Sequence, residues 1–278
     1  MTCYRPIAAY RGPDGIEFDS KRGWQDRPLE LPCGSCAGCR AARARHWAIR
    51  CMHEAECHDS NSFVTLTYND TYLPASGSLE VRDWQLFAKK LRKRGYAFRY
   101  FMAGEYGEKT KRPHYHAIMF GQDFLDDAEM LKTKPHRLWR SPLLEDVWGR
   151  GHVTVGHVTM GSAAYVAQYC MKKWDAPEEY GKLRRPFVTM SRRPGLGTRW
   201  FDKFGSDVFP SDECVVEGRR YSPPRFYMEK LGEAELLQVK RKRAAFARMA
   251  AEDQTPSRLR VRENVAEARL SLASRSAV

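Results

Sequence analysis

The order of hydrophobic patterns along the chain predicts an α+β fold, an antiparallel β-sheet with flanking helices. Short runs rich in β-branched and aromatic residues predict strands, and longer runs of helical periodicity predict helices, in the order strand, helix, strand, strand, helix, strand, helix. Two consecutive strands joined by a short polar link form a hairpin, whereas parallel strands need a long crossover between them. The antiparallel arrangement is therefore favoured, with a Cys-rich N-terminal arm and a basic helical C-terminal tail attached to it.

Three segments are expected from this pattern. Residues 1–60 form the Cys-rich arm, irregular over its first 32 residues, and a basic helix from Ala37 to Cys57 that packs on the core. Residues 61–226 form the core domain. Residues 227–278 form a charged helical tail that is partly disordered, because its sequence has few apolar side chains to bury.

Within the core domain, each element has its own signal. Strands are expected over residues 61–68, 96–103, 114–121 and 151–159. Helices are expected over residues 79–95, 124–131 and 162–174. In the first of these helices Trp84, Phe87, Ala88 and Leu91 recur at the spacing of one helix face, and Gly95 ends it after a basic last turn.

Composition excludes several classes of protein. The 278 residues are 42% hydrophobic and 12% aromatic, enough to bury a core, and 47 Lys+Arg against 34 Asp+Glu leave a net charge of +13. We find neither a run of roughly 18 apolar residues nor a signal peptide, so no membrane association is expected. A net positive charge of this size favours an anionic partner such as nucleic acid. The other interpretation is that the charge serves solubility alone.

The run Pro113-His114-Tyr115-His116 carries the most informative pattern. Strand side chains alternate, so His114 and His116 point to the same face and can converge on one metal ion. Hard divalent ions prefer oxygen, and Glu105, on the other arm of the predicted hairpin, can supply it, with Glu108 in reserve. The alternative is a pair of half-buried histidines with ordinary hydrogen bonds.

A second pattern is the pair Tyr165 and Tyr169, which lie four residues apart and so share one helix face. Lys172 and Lys173 follow one turn later. A phenol has a pKa near 10 and becomes a nucleophile at neutral pH only where a cation stabilises the phenolate, which these lysines and a metal ion can do. Packing of both rings into the core is the alternative.

Five of the eight cysteines fall in one short stretch, and Cys33, Cys36 and Cys39 have the spacing C-x₂-C-x₂-C. In a chain without an export signal this clustering indicates metal ligation or free thiols. Cys3 can complete a structural Zn²⁺ site. The other candidates for the fourth ligand are Cys51, Cys57, His53 and His58.

In combination, these motifs resemble a known family. A strand NSFVTLTY, a His-x-His strand preceded by carboxylates and a helical tyrosine pair with lysine are similar to the three motifs of the HUH endonucleases. The resemblance is closer to the replication initiators of the microviruses, particularly the gokushovirus-like group. It covers about residues 31–200 and includes LPCGSCAGCR, RPHYHAIMFG, YVAQYCMKK and MSRRPGLG.

The resemblance implies a ferredoxin- or RRM-like core and rolling-circle initiation. A tyrosine attacks a phosphodiester of a single-stranded phage origin, leaving a 5′-phosphotyrosine and a 3′-hydroxyl that host polymerase extends, with host helicase assisting, in the bacterial cytoplasm. Mg²⁺ or Mn²⁺ is implied at His114, His116 and Glu105. Relatives often carry lysine where this chain has Gln168, whereas Tyr169 keeps Lys172 three residues on. We therefore predict that Tyr169 acts first and Tyr165 second.

Binding of DNA is expected to be mainly electrostatic and to weaken steeply with salt. The expected contacts are basic residues after the tyrosine helix: Lys173, Arg184, Arg185, Arg192 and Arg193. Thr65 and Thr67 share one strand face near the histidines, where they either approach the phosphate or serve strand propensity alone. The rival function is a noncatalytic single-strand-binding or genome-packaging protein. A related HUH transposase or plasmid initiator would share the chemistry.

Overall fold

The computed structural model describes residues 3–107, 110–172 and 180–276. The chain divides into two compact units, one of residues 44–231 and one in which the residues up to 43 join those from 232 onward. The boundary falls inside a helix. The sequence predicts segment boundaries at residues 60 and 226, and these boundaries stay a prediction.

The strands in chain order are β1 (Ile7–Gly12), β2 (Gly15–Glu17), β3 (Trp24–Leu31), β4 (Asn61–Tyr68), β5 (Arg99–Tyr106), β6 (Pro113–Phe120), β7 (Glu129–Lys132), β8 (Leu138–Arg140), β9 (Gly151–Gly156), β10 (Phe187–Met190), β11 (Cys214–Val216) and β12 (Arg219–Tyr221). The helices are α1 (Ala37–Ala55), α2 (Val81–Lys93), α3 (Pro142–Trp148), α4 (Met160–Lys172), α5 (Thr198–Val208), α6 (Arg225–Met228), α7 (Glu233–Met249) and α8 (Pro256–Ser276). None of the described helices is long and apolar enough to cross a membrane.

The unit of residues 44–231 is built on a seven-stranded antiparallel sheet in the order β10-β5-β6-β4-β9-β8-β7. The predicted α+β class, with helices flanking an antiparallel sheet, is confirmed. The strand predicted over Asn61–Tyr68 has the same bounds as β4, and β5 and β6 form the predicted hairpin. Strands β11 and β12 make a separate two-stranded sheet.

Strand alternation divides the core into two clusters, one on each face of the sheet. On one face Leu66 and Tyr115 belong to the cluster that contains Trp84 of α2 and Trp148 of α3. On the other face Phe101, Ile118 and Phe120 pack with side chains of α1 and α4, among them Ala48, Cys51, Ala163 and Val166. Helices α1 and α4 therefore cover the face that carries the odd-numbered residues of β4 and β5.

Two element predictions are wrong. The arm over residues 1–32 is a three-stranded sheet in the order β2-β1-β3, whose mostly exposed side chains give no hydrophobic alternation to read. The sequence feature that indicates this sheet is the Pro-Asp dipeptide between Gly12 and Gly15, which is typical of the turn that joins β1 to β2. The acidic helix expected over residues 124–131 is a turn followed by β7. There the Asp127 carboxylate accepts hydrogen bonds from the Ser141 hydroxyl and the Leu143 amide, at the start of α3.

The tail is helical, as its sequence predicts. Its described residues form two helices, α7 and α8, joined by a short 3₁₀ turn over Ala251–Gln254, and the expected partial disorder stays a prediction. Helix-forming Ala, Leu, Arg and Glu residues dominate both segments. Val239 and Leu259 are buried, and buried Glu263 pairs with Arg5 within the same unit, which fixes part of α8.

His53 on α1 is fully buried. Its ring stacks 3.4 Å from that of Trp200, its Nδ1 lies 2.8 Å from the Tyr227 hydroxyl, and its Nε2 has no hydrogen-bond partner. Burial penalises the charged ring and lowers the pKa of His53 to about 3. Below pH 6.5 the unfolded chain therefore binds a proton that the folded chain does not, and folding stability is lost as the pH falls.

We predict that this one ring lowers the free energy of unfolding by about 2 kcal/mol between pH 7 and pH 5, at about 1.36 kcal/mol per unit of pH. Urea unfolding of the full chain at both values measures it. His53→Gln should flatten the pH dependence by that amount, whereas Tyr227→Phe, which keeps the imidazole, should not. An unchanged slope in His53→Gln would contradict the assignment.

Candidate metal and tyrosine site

The strand register places the predicted histidines and carboxylate side by side. Glu105 on β5 lies directly opposite His114 on β6, and His114 and His116 lie opposite Thr67 and Thr65 on β4. Directly paired residues point to the same face of a sheet. All five side chains therefore extend the face that packs against α1 and α4.

Glu105 brings the two imidazoles together. Its Oε1 lies 2.9 Å from His114 Nε2 and 2.7 Å from His116 Nε2, and the three side chains can offer ligand atoms within 4.8 Å of one another. Glu105 is 4% exposed and His116 7% exposed. This arrangement has two nitrogens and one oxygen converging on one point, with most water excluded.

The hydrogen bonds of the rings determine which nitrogen can bind a cation. His114 Nδ1 lies 3.1 Å from the main-chain oxygen of Arg112, which can only accept, so Nδ1 carries the proton and Nε2 faces Glu105. The buried Nε2 of His116 makes no aligned hydrogen bond, although it is 2.7 Å from the Glu105 oxygen. Each Nε2 thus faces the same carboxylate oxygen, a contact that either a proton on the ring or a bound cation satisfies, and the three side chains fit a divalent metal ion.

The electrostatics of this cluster are dominated by burial and by the Glu105 charge. Burial would raise the pKa of the Glu105 carboxyl, but hydrogen bonds with His114 and His116 outweigh it and hold that pKa well below its usual range. Burial lowers the pKa of His116, against the opposing effect of Glu105. Glu105 is therefore a carboxylate at neutral pH, and His116 is disposed to be a neutral ligand.

Both tyrosines of α4 reach this cluster. The Tyr165 hydroxyl donates a hydrogen bond to Glu105 Oε1 at 2.9 Å, and its ring lies edge-on to His116 at 5.1 Å. The Tyr169 ring stacks with His116 at 6.4 Å and lies 5.3 Å from the Tyr165 ring. They differ in access, because Tyr165 is 40% exposed and Tyr169 only 3%.

Burial and the nearby Glu105 charge raise the pKa of Tyr169 above its usual value, with hydrogen bonds to Glu105 and Tyr165 adding to the shift. Its phenolate is therefore disfavoured unless a cation approaches. The lysine predicted to do so, Lys172, ends α4, and its side chain lies outside the described residues, as do Lys173 and Glu108 altogether.

The four predicted DNA-contacting arginines separate into two pairs, all exposed. Arg184 and Arg185 precede Phe187, which pairs with Gly104 next to Glu105, so they lie at the candidate-site end of the sheet. Arg192 and Arg193 follow Met190, which pairs with Phe101. They therefore lie at the opposite end of β10.

The predicted cysteine cluster forms within the smaller unit. The Sγ atoms of Cys3, Cys33, Cys36 and Cys39 lie within 4.8 Å of one another, with separations of 3.6, 3.9 and 4.0 Å for three of the pairs. Four sulfurs at about 2.3 Å from a tetrahedral Zn²⁺ would stand about 3.8 Å apart. The other candidates, Cys51, Cys57, His53 and His58, are not in this group.

Two further residues touch His116: Thr65, for which the sequence left open a role near the phosphate or strand propensity alone, and Phe63, which was given no role. Thr65 Oγ1 lies 2.9 Å from His116 Nδ1, and Phe63 stacks on the same ring at 5.6 Å. Alternation in NSFVTLTY puts both on the histidine face, which is the signal that could have found them. Strand propensity explains the same residue types equally well.

Comparison with known proteins identifies the family of this chain. A family model for replication-associated proteins of the ORF2 kind matches residues 61–174, from β4 through α4. The replication-associated protein VP4 of Bdellovibrio phage phiMH2K is 33% identical over 242 residues, covering 82% of this chain and 76% of that protein. This chain belongs to the family of phage replication-associated proteins.

Two further members support the assignment to this replication-associated family. The ORF2 protein of Spiroplasma virus 4 is 28% identical over 82% of this chain and 79% of its own length. The ORF4 protein of Chlamydia phage 1 is 30% identical over 72% of this chain and 53% of its own length. The resemblance to microvirus replication initiators is confirmed. No solved structure matches the chain.

Proposed function

We propose that this protein nicks and rejoins single-stranded DNA at a phage origin, as an HUH-type initiator of rolling-circle replication. One observation carries the proposal: a phenol, Tyr165, is hydrogen-bonded to the same Glu105 oxygen that meets both imidazoles. A nucleophile and a candidate metal site thus lie within one hydrogen bond. An antiparallel sheet with the histidines on an inner strand supports the HUH, ferredoxin- or RRM-like assignment.

The reaction is a transesterification. The tyrosine oxygen attacks phosphorus and the bond from phosphorus to the 3′-oxygen breaks, leaving a 5′-phosphotyrosine and a 3′-hydroxyl. Glu105 accepts the Tyr165 hydrogen bond and so orients the phenol, whose proton passes to solvent as its oxygen attacks, and solvent protonates the departing 3′-oxygen. The phosphodiester energy is kept in the new bond, so attack by a 3′-hydroxyl reverses the step and joins DNA.

His114, His116 and Glu105 would hold the divalent ion, with coordination positions left open for the phosphate. The family resemblance, rather than the ligand set, points to Mg²⁺ or Mn²⁺ as that ion. When bound, such an ion supplies positive charge to the phosphate oxygens and to the attacking phenolate. The protein's own contribution is a fixed ligand geometry and a site from which most water is excluded.

The order in which the tyrosines act has two candidate solutions. The sequence predicts Tyr169 first, on the strength of Lys172. Exposure supports the reverse order, because Tyr165 is 40% accessible whereas Tyr169 is buried with a raised pKa. We propose that Tyr165 meets the first phosphate and that Tyr169 serves the second cleavage, once the site has opened.

DNA engagement would begin next to the site. Arg184 and Arg185 are exposed at the end of the sheet that carries Glu105, where they can neutralise phosphates flanking the scissile one. Arg192 and Arg193 would contact a part of the single-stranded DNA that lies farther from the scissile phosphate. The freed 3′-hydroxyl is a primer for host polymerase, which makes the host replication machinery, including a helicase, the expected partner in the infected bacterial cytoplasm.

Incubation of the full chain and Mn²⁺ with single-stranded fragments tiled across the genome that encodes it should give a protein–DNA adduct that survives denaturant. Tyr165→Phe should reduce the first adduct at least about 100-fold, Tyr169→Phe much less, and Tyr72→Phe, an exposed control, not at all. The opposite ranking of the two active-site variants would restore the order predicted from Lys172. A salt-sensitive gel shift without any adduct would favour the noncatalytic binder.

The cysteine cluster is proposed to hold a structural Zn²⁺. Its four sulfurs have the separations of a tetrahedral site, and main-chain amides of Tyr4, Cys33, Cys36 and Cys39 donate to them at 3.3–3.4 Å. Such amides stabilise thiolates, the form that binds zinc. The ion would tie residue 3 to the start of α1.

Metal analysis of the purified full chain should find one zinc per molecule. Cys36→Ser should lose it and lower the thermal midpoint by several degrees, because metal binding is coupled to folding. Cys214→Ser, a buried free thiol in the other unit, should keep the zinc. Zinc retained in Cys36→Ser, or absent from the wild-type chain, would contradict the site.

A further inference from the structure

Thr65 contacts His116 on the side of the ring away from the carboxylate. Its Oγ1 lies 2.9 Å from His116 Nδ1, and the two residues are direct partners in the β4–β6 register. Both are held by an inner pair of strands in the sheet. The contact is therefore set by the backbone and does not depend on a flexible side chain.

The chemistry of imidazole gives this contact a consequence. A neutral ring carries one proton, and its Nε2 can bind a metal ion only when the proton is on Nδ1. A hydroxyl oxygen next to Nδ1 can accept that proton in a hydrogen bond. It also fixes the ring rotation, so that Nε2 stays beside Glu105 Oε1 at 2.7 Å.

The neighbouring histidine solves the same problem differently. His114 Nδ1 donates to the main-chain oxygen of Arg112 at 3.1 Å. Thr67, the register partner of His114, therefore lies beside a ring whose Nδ1 already has its acceptor. Thr65 and Thr67 are the same residue type and lie two residues apart on one strand face. Of the two histidines, only His116 has a threonine hydroxyl next to its Nδ1.

We propose that Thr65 is a positioning residue that fixes the orientation of His116 and accepts its Nδ1 proton when the divalent ion binds at Nε2. This inference rests on the proposed function of the Glu105, His114 and His116 cluster as a metal site. Residues that orient a ligand imidazole in this way typically change metal affinity about 10- to 100-fold when removed. Thr65→Val keeps the β-branched shape and removes only the hydroxyl, so the sheet should tolerate it.

Titration of Mn²⁺ into the full chain, with zinc kept in the cysteine cluster and weakly bound divalent ions removed, is followed by calorimetry and tests the proposal without relying on nicking activity. Thr65→Val should weaken Mn²⁺ binding about 10- to 100-fold. Thr65→Ser, which restores the hydroxyl, should stay within about threefold of wild type, and Thr67→Val should do the same. If Thr65→Val does not fold, Thr65→Ala replaces it in the comparison with Thr65→Ser.

Nitrogen NMR of the histidine-labelled full chain, prepared in the same way, gives a second readout. His116, assigned by its loss in His116→Ala, should move its proton from Nε2 to Nδ1 when Mg²⁺ is added to the wild type, and Thr65→Val should need a higher Mg²⁺ concentration for the same change, as its weaker binding predicts. A purely structural role of Thr65 would leave the Mg²⁺ dependence of this tautomer change as it is.

The outcomes distinguish failure of the Thr65 inference from failure of the proposed metal site. Wild-type binding that His116→Ala does not weaken, or no binding, would remove the metal site itself and with it the proposed function. Wild-type binding at that site with equal affinity in Thr65→Val would overturn only the role of Thr65. Equal weakening in Thr65→Val and Thr67→Val would also overturn it, because the effect would then belong to the strand.

Discussion

A single buried oxygen, Oε1 of Glu105, is where two imidazoles and the Tyr165 phenol meet. A carboxylate that is 4% exposed is costly to bury unless each lone pair finds a partner, and removing one partner of such a group typically costs several kcal/mol. The strand carrying Glu105, the strand carrying the histidines and the tyrosine helix must therefore keep their relative positions for the charge to be tolerated. The same requirement holds the reacting groups in place.

The alternation of side chains in the sheet keeps these elements in position around Glu105. On the face covered by α1 and α4, Phe101, Ile118 and Phe120 form a buried core, and the same two strands carry Glu105 four residues after Phe101 and His116 two residues before Ile118. Helix α4 follows this division, with Val166 and Ala167 in the core and Tyr165 half-exposed at its edge. Rigidity at the reactive end is thus a consequence of packing at the other end. No loop is needed to position the histidines.

Sequence patterns predicted what alternation and local spacing determine. They identified β4, the hairpin and His114 with His116, and put Glu105 on the other arm, although the strand predicted to end at residue 103 extends to Tyr106 and so pairs Glu105 directly with His114. They put Thr65 near the histidines but could not decide between a role there and strand propensity, and they could not predict the separation of Arg192 from Arg185, which depends on how β10 pairs with β5. The sheet of β1 to β3 was missed because exposed strands carry no hydrophobic pattern.

The two candidate metal sites differ in the property that selects ions. Four sulfurs form a soft, closed set, which favours Zn²⁺ over harder ions, whereas two nitrogens and one oxygen leave coordination positions open, as a catalytic ion needs. Zinc binds nitrogen and oxygen ligands more tightly than manganese does, so affinity alone would place zinc at both candidate sites. Use of Mg²⁺ or Mn²⁺ at the histidine site, which the proposed function requires, must therefore rest on which ions are available to that site, because its ligand types do not select them.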